Sequence, residues 1–200
     1  AIKELHPEHV FAVSKEKSTA CAAFLNSFLS QNGKIFTTNY DLLLYWVLMR
    51  NAIENKGDGF GRDAEETDDW VPEDEIQWSE LRWGKHKDSQ SIYYVHGALH
   101  IFDAGVDIVK EEYDNQHVLL ENIKARMERK EYPIFVTAGN GSEKLSHIRH
   151  NRYLSHCYDS LSSISGSLVC FGFGFGEYDE HIITAINSAA KKRIDKNGKW

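Results

Sequence analysis

Cysteine is scarce in this chain: there are three in 200 residues. Cys21, Cys157 and Cys170 lie far apart, and no C-x-x-C pair occurs. A zinc ribbon is therefore unsupported, a disulfide framework is a poor reading, and a reduced, cytoplasmic compartment is expected. Basic excess is missing too. The formal net charge is −7, which argues against direct nucleic-acid binding, because such proteins neutralise phosphates with lysine and arginine. The basic residues within Lys124–Lys130 and Lys191–Arg193 are expected on solvated helix faces. There is no apolar run of about 18 residues and no signal-peptide pattern, so no membrane association is expected. Neither a G-x-G-x-x-G fingerprint nor a Walker P-loop is present. No metal site is expected either. His147 and His150 are three apart, but no Glu completes a metalloprotease pattern and Arg149 stands between them.

What the chain does have is the material for a core. Hydrophobic residues make up 42% and aromatics 12%, enough for one sizeable α/β domain over residues 1–200. The start at Ala1 and the stop after Lys199-Trp200 read as an excised fragment, with sheet partners expected beyond the ends.

Cys21, Phe24, Leu25, Phe28 and Leu29 recur at helical spacing and predict a helix from about Ser14 to Ser30, stopped by Asn32-Gly33. Lys34–Thr38 suits a buried strand. Asp41 can cap a helix reaching about Asn55, apolar on more than one side through Leu43, Leu44, Trp46, Val47 and Ile53. From about 56 to 90 the composition turns acidic and irregular, with Trp70, Trp78 and Trp83. We read this as an insertion pinned by its aromatics, either a lid or decoration.

Beyond it, Ser91–Val95 reads as a strand, and Ala98–Phe102 with Asp107–Lys110 as a hairpin around Asp103-Ala104-Gly105. A helix from about Gln116 to Lys130 should bury Val118, Leu119, Ile123 and Met127. A strand Ile134–Thr137 follows Pro133, then a helical pattern from Ser142 or Ser146 to Ile164. Ser167–Phe171 reads as a buried strand and Glu177 to about Arg193 as a last helix. Strands alternating with helices predict a Rossmann-like, mostly parallel sheet with helices on both faces, where ligands bind at the strands' carboxyl ends.

Three constellations sit at such ends. In Thr37-Thr38-Asn39-Tyr40-Asp41, hydroxyls, an amide and a carboxylate converge. Asn39 can serve a ribose hydroxyl or an attacking water, although Asp41 could equally be a helix N-cap and Asn39 a turn residue. In Tyr94-Val95-His96-Gly97, the imidazole suits acid/base work on a sugar hydroxyl, and Gly97 would let a ligand approach the backbone. His100 is better read as packing. In Gly172-Phe173-Gly174-Phe175-Gly176, bare backbone could face a phosphate at a helix N-terminus, or simply make a tight turn.

The order of these motifs, T-x-N-x-D, then aromatic-x-H-G, then glycine-rich G-x-G followed by acids, resembles the sirtuin superfamily over roughly Lys34 to Asn187. The likeness is greatest to bacterial sirtuin-like domains, including those of phage-defence proteins. It implies NAD as substrate or ligand, with Asn39, Asp41 and His96 as the catalytic set and His96 as base on the nicotinamide ribose. Thr37, Thr38, Gly97, Gly172, Phe173, Gly174 and Asp179 would bind the cofactor, Asp179 and Ile182 echoing a G-[YF]-S-x-x-D-x-x-I pattern.

The four-cysteine zinc module of deacylase sirtuins cannot be built here. The implied activity is therefore NAD hydrolysis or ADP-ribosyl transfer without zinc. The family's first strand and phosphate turn would precede Ala1. Two other readings stay open: a non-catalytic NAD- or ADP-ribose-binding regulatory module, and a structural interaction domain that docks a protein partner through its tryptophans. Homo-oligomerisation is compatible with all three.

Overall fold

A computed structural model of the chain describes residues 7, 9–64, 72, 76–112 and 118–197, with side chains of the last helix to residue 192. Strands are β1 (Ile35–Thr37), β2 (Phe60–Gly61), β3 (Leu81–Trp83), β4 (Ile92–Tyr94), β5 (Gly97–Asp103), β6 (Ile108–Lys110) and β7 (Pro133–Phe135). Helices are α1 (Lys15–Leu29), α2 (Leu43–Arg50), α3 (Leu119–Glu128), α4 (Gly141–His150), α5 (Arg152–Leu161) and α6 (Glu180–Asn197). Trp70 and the expected helix start at Gln116 lie outside the described residues. Among the described residues, no helix is long and apolar enough to cross a membrane.

The fold is mixed α/β, but its sheets depart from the expected mostly parallel arrangement. β1 and β4 form a parallel pair, Ile35 opposite Ile92 and Thr37 opposite Tyr94. The other five strands form an antiparallel sheet in the order β2-β3-β6-β5-β7. Two features produce this. The β5–β6 hairpin, Ile101 opposite Lys110, turns at Gly105 with φ +83° as its motif requires. The segment read as an irregular insertion also contributes β2 and β3. Trp83 anchors it, its indole donating to Gln90 and its ring lying edge-on to Tyr153, whereas Trp78 is exposed.

The expected buried strand Ser167–Phe171 is not one. That stretch is irregular, with Leu168 41%, Val169 61% and Phe171 82% exposed. Hydrophobic β-branched composition gives a strand only where a ladder partner exists, and among the described residues no strand pairs with it.

α1 is capped by Ser14, which accepts from Lys17 N. It buries Ser18, Ala22, Leu25 and Leu29, while Cys21 and Phe24 face outward and Phe24 meets Phe171. α2 buries Tyr45, Trp46, Val47 and Leu48, as its all-round apolarity predicted. The single helical pattern after Ser142 divides at Asn151, whose side chain accepts from Tyr153 N and Leu154 N and caps α5.

α3 corrects the expectation for its face. Leu119 and Ile123 are buried, but Val118 and Met127 are exposed and Arg126 is buried, only 8% accessible. Arg126 is no solvated base. Its guanidinium ties together Glu80, Glu111 and Glu131, and these carboxylates hold it firmly charged against the cost of burial. Arg126→Met should therefore cost about 1–3 kcal/mol, chiefly by leaving Glu111, the least exposed of the three carboxylates, without its partner. Urea denaturation measures this, and an unchanged midpoint would mean that water already solvates the cluster.

His100 is packing, as expected. It is fully buried between Tyr45, stacked at 4.3 Å, and Tyr94, edge-on at 5.2 Å. Burial, then the nearby Lys110 charge, push its pKa well below the ordinary 6.5. The unfolded chain therefore takes up a proton below about pH 6.5 that the folded chain refuses. Stability should be full above that pH and fall as pH drops, by up to about 1.4 kcal/mol per pH unit for this group. Denaturation at pH 7.5 and 5.5 tests it, and His100→Phe should flatten part of the slope. A slope identical in the variant would remove His100 as its source.

Candidate functional site

The parallel β1–β4 pair is where the candidate site begins. Past the paired residues the two chains stay together: Val95 N donates to Thr37 O, and Leu99 N donates to Tyr40 O. Thr37–Tyr40 thus runs beside Val95–Leu99, and His96 stands where the chain leaves the parallel pair and enters the antiparallel sheet at Gly97.

His96 is 5% exposed. Its Nε2 lies 2.7 Å from Nε2 of His181, with the rings stacked at 5.0 Å. Thr38 also makes a backbone hydrogen bond to the His96 ring that favours the protonated form, so the carbonyl is the acceptor. Burial nonetheless brings the His96 pKa down to about 4; the charges of His181 and Lys144 add to this, and Asp179 opposes it. The imidazole is neutral near pH 7. His181, also buried, is lowered by burial and by Lys144.

α4 and α6 supply the other wall. Asn140 and Glu143 form a capping box at the start of α4, which places the buried Lys144 with its ammonium 3.2 Å from Asp179 Oδ1. Asp179 ends a 3₁₀ turn, Glu177–Asp179, that leads into α6 and His181. Gly141 lets the helices close, since a Cβ there would stand 3.0 Å from Glu180 Cβ.

The structure thus gathers Thr38, His96 and Asp179 from the expected set. It adds Lys144 and His181, which the sequence reading did not single out. The spacing Asp179-x-His181 at a helix start was a legible signal for the latter. The remaining expected residues lie as follows. Asn39 is exposed, its N–H bonded to Thr37 Oγ1. Asp41 is half-buried, and its carboxylate accepts from Leu43 N two residues on, a local turn contact; the N-cap of α2 is Leu42, which has no side-chain cap. Gly172 and Gly174 are exposed, with open space at the Cβ position of each, and Phe173 is half-buried against the core.

Gly97 differs from its expected role. Its φ is +78°, and a Cβ would overlap the carbonyl of Ile134. Its bare Cα accommodates β7, not a ligand. His147 and His150 are exposed on α4, with His150 bonded to Ser146 O. An open groove of about 600 Å³ lined by Lys34, Arg152, Ser155, His156, Asp159, Ser160 and Ser163 shares no residue with the His96 cluster.

Comparison with functionally described proteins and with solved structures finds no significant match. A family model described as Domain of unknown function (DUF4917) matches residues 1–196. With nearly its whole length covered by that match, the chain belongs to this family.

Proposed function

We propose that this chain is a sirtuin-like NAD-consuming enzyme that hydrolyses NAD to nicotinamide and ADP-ribose. The carrying observation is the meeting of Thr38, His96 and Asp179, which come from three separate motifs and share one polar cluster at the end of the parallel strand pair. Further support comes from the open space beside Gly172 and Gly174, just ahead of α6, where a pyrophosphate could use backbone N–H groups.

In this reading the nicotinamide–ribose bond breaks through an oxocarbenium-like state and water adds to the ribose carbon. Nicotinamide leaves with the bond's electron pair, and one proton is released. Asn39 orients the water or the ribose, and neutral His96 accepts the proton. The phage-defence setting comes with the family resemblance alone.

One observation favours a second reading, a non-catalytic module that binds NAD or ADP-ribose. His96 is buried and held between Thr38 and His181, so touching a substrate requires it to change partners. Incubation with NAD while nicotinamide is quantified, alongside thermal shift with ADP-ribose, separates the two. Nicotinamide release supports hydrolysis. A thermal shift without release supports the module, and neither response ends the nucleotide reading.

A further inference from the structure

We propose that His96, His181 and Asp179 form a binding site for a divalent first-row transition-metal ion of the zinc class. The inference does not rest on the nucleotide reading, and with an ion on Nε2 and the proton on Nδ1 His96 has no lone pair left, so it acts as a base only in the metal-free chain. The site differs from the expectation of no metal because its ligands are remote in sequence, His96 and His181 being 85 residues apart.

The geometry is that of converging ligands. One ligand atom from each residue lies within 4.8 Å of the others, and both histidines are buried. The two Nε2 atoms point at one another, 2.7 Å apart. His96 Nε2 faces His181, and the Thr38 backbone favours a proton on the ring. With the proton on Nδ1, a lone pair on Nε2 faces the centre. That is the disposition of a metal-bound histidine, whose other ring nitrogen donates to a backbone carbonyl.

His181 is the second buried ring of the site, and no hydrogen bond fixes its Nδ1. A cation between the two rings replaces the proton they share, so that both Nε2 lone pairs face the ion and each ring carries its own proton on Nδ1.

Zinc–nitrogen bonds of about 2.0–2.1 Å place tetrahedral neighbours roughly 3.3 Å apart, so the rings need to open by only about half an ångström. Asp179 completes the set. Its carboxylate also pairs with the Lys144 ammonium, 3.2 Å from Oδ1. Two imidazoles and one carboxylate suit zinc and its neighbours, not calcium or magnesium, and leave a fourth position for water.

The test uses chelator-treated protein without a histidine tag, titrated with Zn²⁺ by calorimetry and with Co²⁺ by visible absorption. One equivalent should bind per chain, with a cobalt spectrum of low-symmetry, mixed nitrogen–oxygen ligation. His181→Gln and Asp179→Asn should each weaken binding by at least about tenfold, with thermal melts confirming that the variants fold. His147→Ala/His150→Ala, on the exposed face of α4, should bind like the parent. Absence of stoichiometric binding overturns the proposal, as does binding that survives both site variants or vanishes with the His147/His150 pair. No NAD is present, so failure of NAD turnover and failure of metal binding are separate results.

Discussion

Replacing His96 by alanine should stop nicotinamide release from NAD, lowering the rate by at least about a hundredfold, while the chain stays folded. The magnitude follows from the role. A positioned base contributes about 10²–10⁴ to a proton-transfer step, and His96 stands beside the T-x-N-x-D segment at Thr38. Its depressed pKa, about 4 and set chiefly by burial, keeps the ring unprotonated at working pH.

Folding should survive because the ring meets His181 and Thr38, polar neighbours that water entering the vacated space can serve. Circular dichroism and a thermal melt of the variant establish that it is folded, and nicotinamide release is then compared with the parent. Turnover close to that of the parent would exclude His96 from the chemistry.

Gly97→Ala should be the most damaging single methyl addition in the site region, destabilising the chain by about 3 kcal/mol or more. Two costs coincide there. At φ +78° an L-residue is strained. In addition, the new Cβ would overlap the Ile134 carbonyl and stand 2.9 Å from Phe135 Cα, both backbone positions that cannot rotate away.

The strain would fall on the β5–β7 pairing, where Gly97 lies opposite Phe135. Gly105→Ala is the matched control: its φ is also positive, at +83°, but no atom lies within 4 Å of the Cβ position. Denaturation midpoints should therefore fall far more for Gly97→Ala than for Gly105→Ala. Equal losses would show that backbone strain alone, without the β7 contact, explains the glycine.

Much of the local structure was readable before any coordinates. The apolar spacing around Leu25 and Leu29 located α1, the dense hydrophobicity of Leu44–Leu48 forecast a buried α2, and Asp103-Ala104-Gly105 announced the β5–β6 turn. These signals are short-range, set by side-chain periodicity and turn chemistry within a few residues. The same reading failed where the outcome depended on a partner elsewhere. Leu168–Phe171 has strand composition but, among the described residues, no strand beside it, and Arg126 has the sequence setting of a surface base yet gathers three carboxylates around it.

The candidate site divides along the same line. His96 and Asp179 stood out from their motifs. Gly97 also stood out, but for the wrong neighbour, because a sequence cannot say whether a glycine faces a ligand or another strand. Lys144 entered only through the packing of α4 against α6; the spacing from Asp179 to His181 was legible, but the 2.7 Å contact between the two imidazoles was not. Which groups carry chemistry was written in residue type; which of them meet, and in what protonation state, was decided by the burial and charge that only the folded chain brings together.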